Sequence, residues 1–392
     1  MRRARPATPG LPGPERPERP AHPERPDRRA ASERASQLTL TFEVSRSCNL
    51  RCQFCYNSWK IRGRREAGEV STADALRILA KAIDETGCGE ITLSGGEPLL
   101  RDDIFEIVRF IKKRGVKVAL VTNGTLLTDQ RVDKCIGEGV DLYQVSLLSD
   151  REELHNELAG RDSFHKAVEG IINLRNKNAT VHTFFVGTRR NITTFRGALE
   201  LNVLLGVRNV ALGRFVPGGE GMKRWKDLLP PPDMVQAALD SASELARRYP
   251  VAISISTPIM PCLVDVARHD NITPGFCTVG RKTTLFAIDP VGNVKVCSHS
   301  PTVLGNILEK PFKEIVKHQF LRDFVEILPA FCRDCEAASI CRGGCRSSAH
   351  LCYGSFEAED PYLWTWKARA DKNSPAVARL VSKASKGMSG AR

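Results

Sequence analysis

Three cysteines stand close together in the run Cys48-Asn49-Leu50-Arg51-Cys52-Gln53-Phe54-Cys55, with three residues and then two between them. Thiolates at this spacing can hold three irons of a [4Fe–4S] cluster and leave the fourth iron without a protein ligand, open to chemistry. A structural zinc is the alternative, but it takes four ligands, and the local count here stops at three. About forty residues on, Ser94-Gly95-Gly96-Glu97-Pro98 follows the apolar stretch Ile91-Thr92-Leu93. Gly-Gly is common in turns and says little alone. Here it closes a strand-like stretch, one βα unit after the cysteines.

A second group of cysteines lies toward the C-terminus. Cys277 is followed after fourteen residues by Gly292, and after four more by Cys297. Cys332, Cys335, Cys341 and Cys345 are separated by two, five and three residues, and Cys352 comes last. Cys262 lies fifteen residues before Cys277. Cys332, Cys335, Cys341 and Cys345 can by themselves hold a zinc, which leaves the other three unexplained. Cys88 and Cys135 fit no spacing and read as core thiols.

The elements that must position these residues follow an alternating pattern. Leu38–Val44 alternates like a strand, and strand patterns recur at Glu90–Ser94, Val116–Thr122, Leu142–Leu148, Val181–Gly187 and Arg208–Phe215. Ser71 and Thr72 can cap a helix running to about Thr86, with Leu76, Leu79, Ala80 and Ile83 on one face. Helical patterns also occupy 102–114, 128–138, 163–177 and 195–206. Six βα repeats predict a parallel sheet with helical crossovers, whose working loops gather at the carboxyl ends of the strands. The cysteines follow strand one, Gly95-Gly96-Glu97 follows strand two, and Thr122-Asn123-Gly124 ends strand three. Pro230-Pro231-Pro232 breaks the pattern, and a helix follows over about Asp233–Arg248.

The first cysteine motif and Gly95-Gly96-Glu97 together resemble the radical S-adenosylmethionine (SAM) superfamily, and the C-terminal spacing over about 277–352 resembles the SPASM domain. The resemblance implies an α/β fold, a partial (β/α)6 radical SAM barrel open on one side and followed by a small cysteine-rich SPASM domain. It divides the chain into a Pro/Arg-rich tail (1–36), core barrel (37–230), linker helix and connection (231–276), SPASM auxiliary cluster domain (277–360) and C-terminal tail (361–392). It further implies that Cys48, Cys52 and Cys55 bind a cluster whose open iron is chelated by SAM. Gly95, Gly96 and Glu97 lie against the SAM methionine amine, and Phe54 occupies an aromatic position whose backbone is near the adenine. Asn123 and Ser146 stand where polar SAM contacts occur, and Arg189, with Arg190 and Asn191, can meet the SAM carboxylate; ordinary strand-end polar and charged residues are the plain alternative. Cys332, Cys335, Cys341 and Cys352 are expected to form a closed auxiliary cluster, and Cys277, Cys297 and Cys345 to hold a second. Cys262 either completes that second set or leaves it with an open iron.

The implied activity is reductive cleavage of SAM to a 5′-deoxyadenosyl radical, which abstracts hydrogen from a substrate; auxiliary clusters can then accept an electron. Peptide or protein maturation and cofactor biosynthesis are the favoured settings. Haem-precursor (tetrapyrrole) modification, nucleic-acid modification and a non-catalytic iron–sulfur electron carrier are the alternatives, although Gly95-Gly96-Glu97 and a barrel are superfluous to a carrier. The implied partners are a reducing donor such as ferredoxin or flavodoxin, and a peptide substrate or peptide chaperone. Arg214-Phe215-Val216-Pro217-Gly218-Gly219-Glu220-Gly221 leaves strand six with glycines that let backbone approach a ligand closely, so it is a candidate lining of the substrate pocket.

Composition agrees. The chain has 392 residues, 42% of them hydrophobic, enough to bury a large core. Its formal net charge of +13 draws on nine arginines against five acids in residues 1–36, where eight prolines and few large apolar side chains predict disorder. No basic stripe is interleaved with aromatics, which disfavours single-stranded nucleic acid. No apolar run is long enough to span a bilayer, and no apolar h-region follows the first arginines. Most of the thirteen cysteines fall into groups with short metal-type spacings, and without a secretion signal they predict clusters in a reducing cytoplasm.

Overall fold

The computed structural model describes residues 38–57, 70–281 and 284–389; the tail expectation for 1–36 lies outside the described residues. The expected repeats are present. Strands β1 (Thr39–Ser45), β2 (Glu90–Gly95), β3 (Lys117–Thr122), β4 (Leu142–Ser146), β5 (Val181–Gly187) and β6 (Asn209–Arg214) pair in parallel and in chain order. Between them run helices α1 (Thr72–Thr86), α2 (Ile104–Lys113), α3 (Asp129–Gly137), α4 (Glu152–Ala159), α5 (Phe164–Asn176) and α6 (Phe195–Leu204). Local chemistry fixes their ends. Ser71 Oγ accepts the Asp74 N–H to cap α1, and Gly87, in the left-handed region at φ 61°, closes it by donating to the Ile83 carbonyl. The face of α1 that packs inward is Ala75, Ile78, Leu79, Ala82 and Ile83.

The sheet does not stop at six strands. Helix α7 (Pro232–Arg248) leads into β7 (Ala252–Ile255), which pairs with β6, and β8 (Ile272–Thr273) pairs with β7, both in parallel. On the opposite side β9 (Phe286–Ile288) pairs in parallel with β1, and β10 (Asn293–Lys295) and β11 (Val303–Asn306) continue as an antiparallel extension. The strand order is β11-β10-β9-β1-β2-β3-β4-β5-β6-β7-β8. Residues 231–276, expected as a linker helix and connection, supply that helix as α7 and also two strands on one side of the sheet, and the start of the cysteine-rich region builds the other side. Gln37–Arg392 forms one compact unit. No helix among the described residues is long and apolar enough to cross a membrane.

Two apolar cores follow from this order. One gathers around β1–β4 and the β9–β11 extension, and Cys277 and Cys297 pack against it. The other gathers around β5–β8, α6 and α7, and it includes Cys332, Cys341, Tyr362 and Leu363, with Cys262 and Cys335 packed against it. Cys88 and Cys135 are buried within the first core, as expected of inert thiols; burial pushes the Cys135 thiol up to about 11.

Candidate functional site

The Cys48–Cys55 loop leaves the carboxyl end of β1 and is clamped from several sides. The Arg51 and Gln53 N–H groups donate to the Ala159 and Leu158 carbonyls at 2.9 Å each, at the end of α4. Gly160 follows at φ 68°, and a Cβ there would lie 2.4 Å from the Arg51 oxygen. From β2, the Gly96 and Glu97 N–H groups donate to the Ser45 and Ser47 carbonyls at 2.8 Å each. A Cβ on Gly96 would come within 2.0 Å of the Ser47 oxygen, and one on Gly95, at φ 120°, within 2.4 Å of the Ser45 oxygen. The Gly-Gly step thus exists because two strand-end loops touch backbone to backbone.

The third clamp is the glycine segment after β6. Gly219, at φ 49°, would place a Cβ 2.4 Å from the Tyr56 carbonyl carbon and 2.5 Å from the Cys55 oxygen, and the Gly221 N–H donates to Cys55 O at 3.2 Å. Gly219 and Gly221 are buried. The close backbone approach that Gly219 and Gly221 permit is to the cysteine loop itself.

Glu97 is fully buried. Its carboxylate accepts the Asn123 N–H and the Thr122 hydroxyl at 2.8 Å each, and the Leu99 N–H at 3.2 Å. Burial pushes the carboxyl up to about 7, and these donors pull it back. Its side chain is therefore spent on joining the ends of β2 and β3. The Asn123 side chain is engaged too: Nδ2 donates to Asn49 Oδ1 at 2.8 Å, and Oδ1 accepts from Thr125, whose hydroxyl accepts from Asn49 Nδ2 at 2.8 Å. Asn49 and Thr125 close this ring and were not singled out from the sequence. Buried Asn191 accepts from Thr188 and donates to the Leu148 and Val186 carbonyls, bracing β4 against β5. Arg189 is exposed, donates to the Leu229 carbonyl at 3.2 Å and lies over the Trp366 ring. Arg190 pairs with Glu157. Ser146 ends β4 half-buried, and Phe54 bridges the second core and a small cluster of Leu50, Leu148, Leu158 and Ala159, where Cys48 and Cys52 also pack.

The C-terminal cysteines divide differently from the expected pattern. Cys262, Cys332, Cys335 and Cys341 together line one small cavity. Burial first, and then neighbouring cysteines of this cavity, raise the Cys262 thiol and push Cys332 up to about 11 and Cys341 to about 12. Cys277, Cys297 and Cys345 form a second mutually interacting group. Cys352, expected with Cys332, Cys335 and Cys341, instead acts among the cysteines with Cys345 alone and faces Met222 Sδ at 3.9 Å. The reason is the fold: Cys262 sits in the loop after β7, on the same core as Cys332 and Cys341, whereas Cys277 and Cys297 belong to the β1 side.

Four thiols around a cavity fit a cluster better than a single ion. Zinc holds its sulfurs at about 2.3 Å, so its ligands must converge on a point. Among the described residues no three His, Cys, Asp or Glu groups converge in that way, and the zinc quartet weighed from sequence is split, because Cys345 lies outside the cavity.

The residue after the first cysteine loop meets the C-terminal region directly. The Tyr56 ring stacks on His299 with centroids 4.5 Å apart. Both rings keep accessible surface while deep among protein atoms, and that environment lowers the His299 pKa to about 4. Beside them buried Glu43 of β1 pairs with Lys295 of β10 at 3.2 Å. Farther along, Arg214 at the end of β6 meets Asp360 at 3.1 Å, both buried, and Asp360 also accepts the Cys345 N–H at 2.6 Å.

The chain resembles known proteins over most of its length. A model of the radical SAM superfamily matches residues 42–201, and that of the SPASM iron–sulfur cluster-binding domain matches 277–336. An AdoMet-dependent heme synthase of Methanosarcina barkeri is 29% identical over 348 residues, covering 82% of this chain and 95% of the relative. The mycofactocin maturase MftC of Mycobacterium tuberculosis is 28% identical over 350 residues, covering 87% and 85%. Among solved structures, anSMEcpe with bound AdoMet superposes with a TM-score of 0.67 at 19% identity over 88% of this chain and 96% of that one, which establishes a shared fold.

Proposed function

Because this chain belongs to the radical SAM superfamily and carries a C-terminal SPASM domain, we propose that it uses its SAM and [4Fe–4S] cofactors to oxidise a small precursor, in peptide maturation or cofactor biosynthesis. When bound, the cluster and SAM supply a 5′-deoxyadenosyl radical that abstracts hydrogen from a C–H bond. Cys48, Cys52 and Cys55 are the residues that would hold the SAM-binding cluster. Gly95, Gly96, Phe54 and Ser146 would frame SAM at the strand ends. Glu97, Asn123 and Arg189, whose side chains are engaged with protein, would act by fixing loops. Substrate would be received near the stacked Tyr56 and His299 rings, and Cys277, Cys297 and Cys345 would hold an auxiliary cluster.

The observation that carries this reading is the three-cysteine loop, held by close glycine contacts from three sides and stacked through Tyr56 on His299, two residues from Cys297. Relatives named for mycofactocin maturation and for PqqA peptide cyclisation favour a peptide precursor. The heme synthase relative, aligned over 95% of its length, favours a tetrapyrrole precursor as the second reading. A ferredoxin or flavodoxin in a reducing cytoplasm would supply electrons, with a peptide chaperone presenting the peptide.

The test is anaerobic incubation with dithionite, SAM and each precursor class, with 5′-deoxyadenosine and precursor mass followed together. The expected result is slow 5′-deoxyadenosine release without substrate, and a faster release matched by a mass loss of two hydrogens or more with the right class. Release that neither class accelerates would remove both substrate readings.

A further inference from the structure

We propose that Cys262, and not Cys352, completes a four-cysteine auxiliary cluster site with Cys332, Cys335 and Cys341. The inference rests on the iron–sulfur reading above and reassigns one ligand within it. Spacing along the chain favours Cys352, the last cysteine of the C-terminal run. Position in space favours Cys262. It lines the same cavity as the other three, together with Met260, Phe331 and Leu363, and Cys352 does not. It packs on the same core section, beside buried Cys332 and Cys341.

The backbone that presents Cys262 is fixed independently of any cluster. The Leu263 and Val264 N–H groups both donate to the Met260 carbonyl, and the Cys262 carbonyl accepts the Asp371 N–H at 2.9 Å. Buried Arg214 donates to the Pro258 carbonyl at 3.0 Å, tying the same turn to β6. On the other side, Cys335 and Cys341 are placed by a short turn in which the Cys335 N–H donates to the Cys332 carbonyl and the Cys341 N–H to the Ala337 carbonyl. The wall that faces them on the helix Pro361–Trp366 is apolar Leu363, which offers no ligand. The cavity's only cationic lining residue, Lys372, is already paired with Asp334. Four thiols among apolar walls supply a full four-cysteine ligand set, which bound iron would hold as thiolates.

Cys352 has different surroundings. It lies on the helix Arg346–Tyr353, whose N-cap is Cys345, so it stands about two turns from that residue, with its sulfur against Met222. That places it outside the cavity of Cys262, Cys332, Cys335 and Cys341, on the helix that Cys345 begins.

The experiment compares full-length, anaerobically reconstituted wild type with Cys262→Ser and Cys352→Ala, by iron and sulfide content and by Mössbauer and EPR spectra of the reduced proteins. Cys262→Ser should lose about four irons, or convert one auxiliary cluster to a distinct signal. Cys352→Ala should keep the spectrum of that cluster, whatever happens to the cluster of Cys277, Cys297 and Cys345. If Cys352→Ala loses that cluster, with or without a loss in Cys262→Ser, or if Cys262→Ser keeps every cluster unchanged, the assignment is overturned. The Cys352→Ala arm stands even if Cys262→Ser fails to fold. Wild type without sulfide would instead overturn the iron–sulfur reading itself.

Discussion

Glu97 titrates where it can be watched. Its carboxyl is raised from an ordinary 4.5 to about 7 by burial, so between these values the folded chain holds the proton more tightly than the unfolded chain does. The contribution of this group to stability therefore falls as pH rises through that window and is level on either side. Glu97→Gln, which does not titrate, should flatten that part of a melting-temperature profile taken anaerobically from about pH 5 to 8; an unchanged slope would assign the titration to another group. Gly219→Ala tests the clamp on the cysteine loop. Its φ of 49° costs a residue with a Cβ roughly 1–2 kcal/mol, and the Cβ would meet Tyr56 and Cys55 backbone. Lower thermal stability and loss of iron from the first cluster are expected; full iron with unchanged melting would show that the loop yields freely. The importance of these residues was legible in the sequence, but their targets were not. A glycine pair reports that something comes close without saying what, and in both loops the neighbour is protein backbone.

Helix α4 shows what the element scale hides from a reader of sequence. It has eight residues, most of them polar, and it falls between β4 and a longer helix whose periodicity dominates the region. Yet its last carbonyls anchor Arg51 and Gln53. The six long repeats were legible because each buries a regular stripe, as β5 does at every second residue. The strands β7 to β11 have two to four residues each, too few for a period to show, and only pairing with β6 and β1 makes them strands. The same limit bears on Cys352 and Cys262, since spacing counts residues along the chain and ligands meet across it. Asp360 joins two such distant elements, accepting from Arg214 at the end of β6 and from the Cys345 N–H. Removing one partner of a buried pair costs about 3–5 kcal/mol. Asp360→Asn should therefore lower the unfolding midpoint by that order in a denaturant titration; a change below about 1 kcal/mol would show that Arg214 finds other acceptors.

At the scale of the whole molecule, the cysteine groups predict about eight to twelve irons in anaerobically reconstituted protein, at four per cluster. Replacing Cys48, Cys52 and Cys55 with Ala should remove about four and abolish 5′-deoxyadenosine release, while the auxiliary signals persist. One or two zincs without sulfide would end the iron–sulfur account. The position of β1 has a consequence for how the protein is made. It is an interior strand, with β2 on one edge and β9 on the other, but β9 comes from residues 286–288. A ribosome delivers β2 early and β9 only after most of the chain has emerged. Throughout that interval the strand that carries the first cysteine loop offers an open row of N–H and C=O groups to any neighbouring chain. The growing polypeptide is thus most prone to aggregate while the strand bearing its first cysteine loop is half paired, and a chain cut short before residue 286 stays in that state.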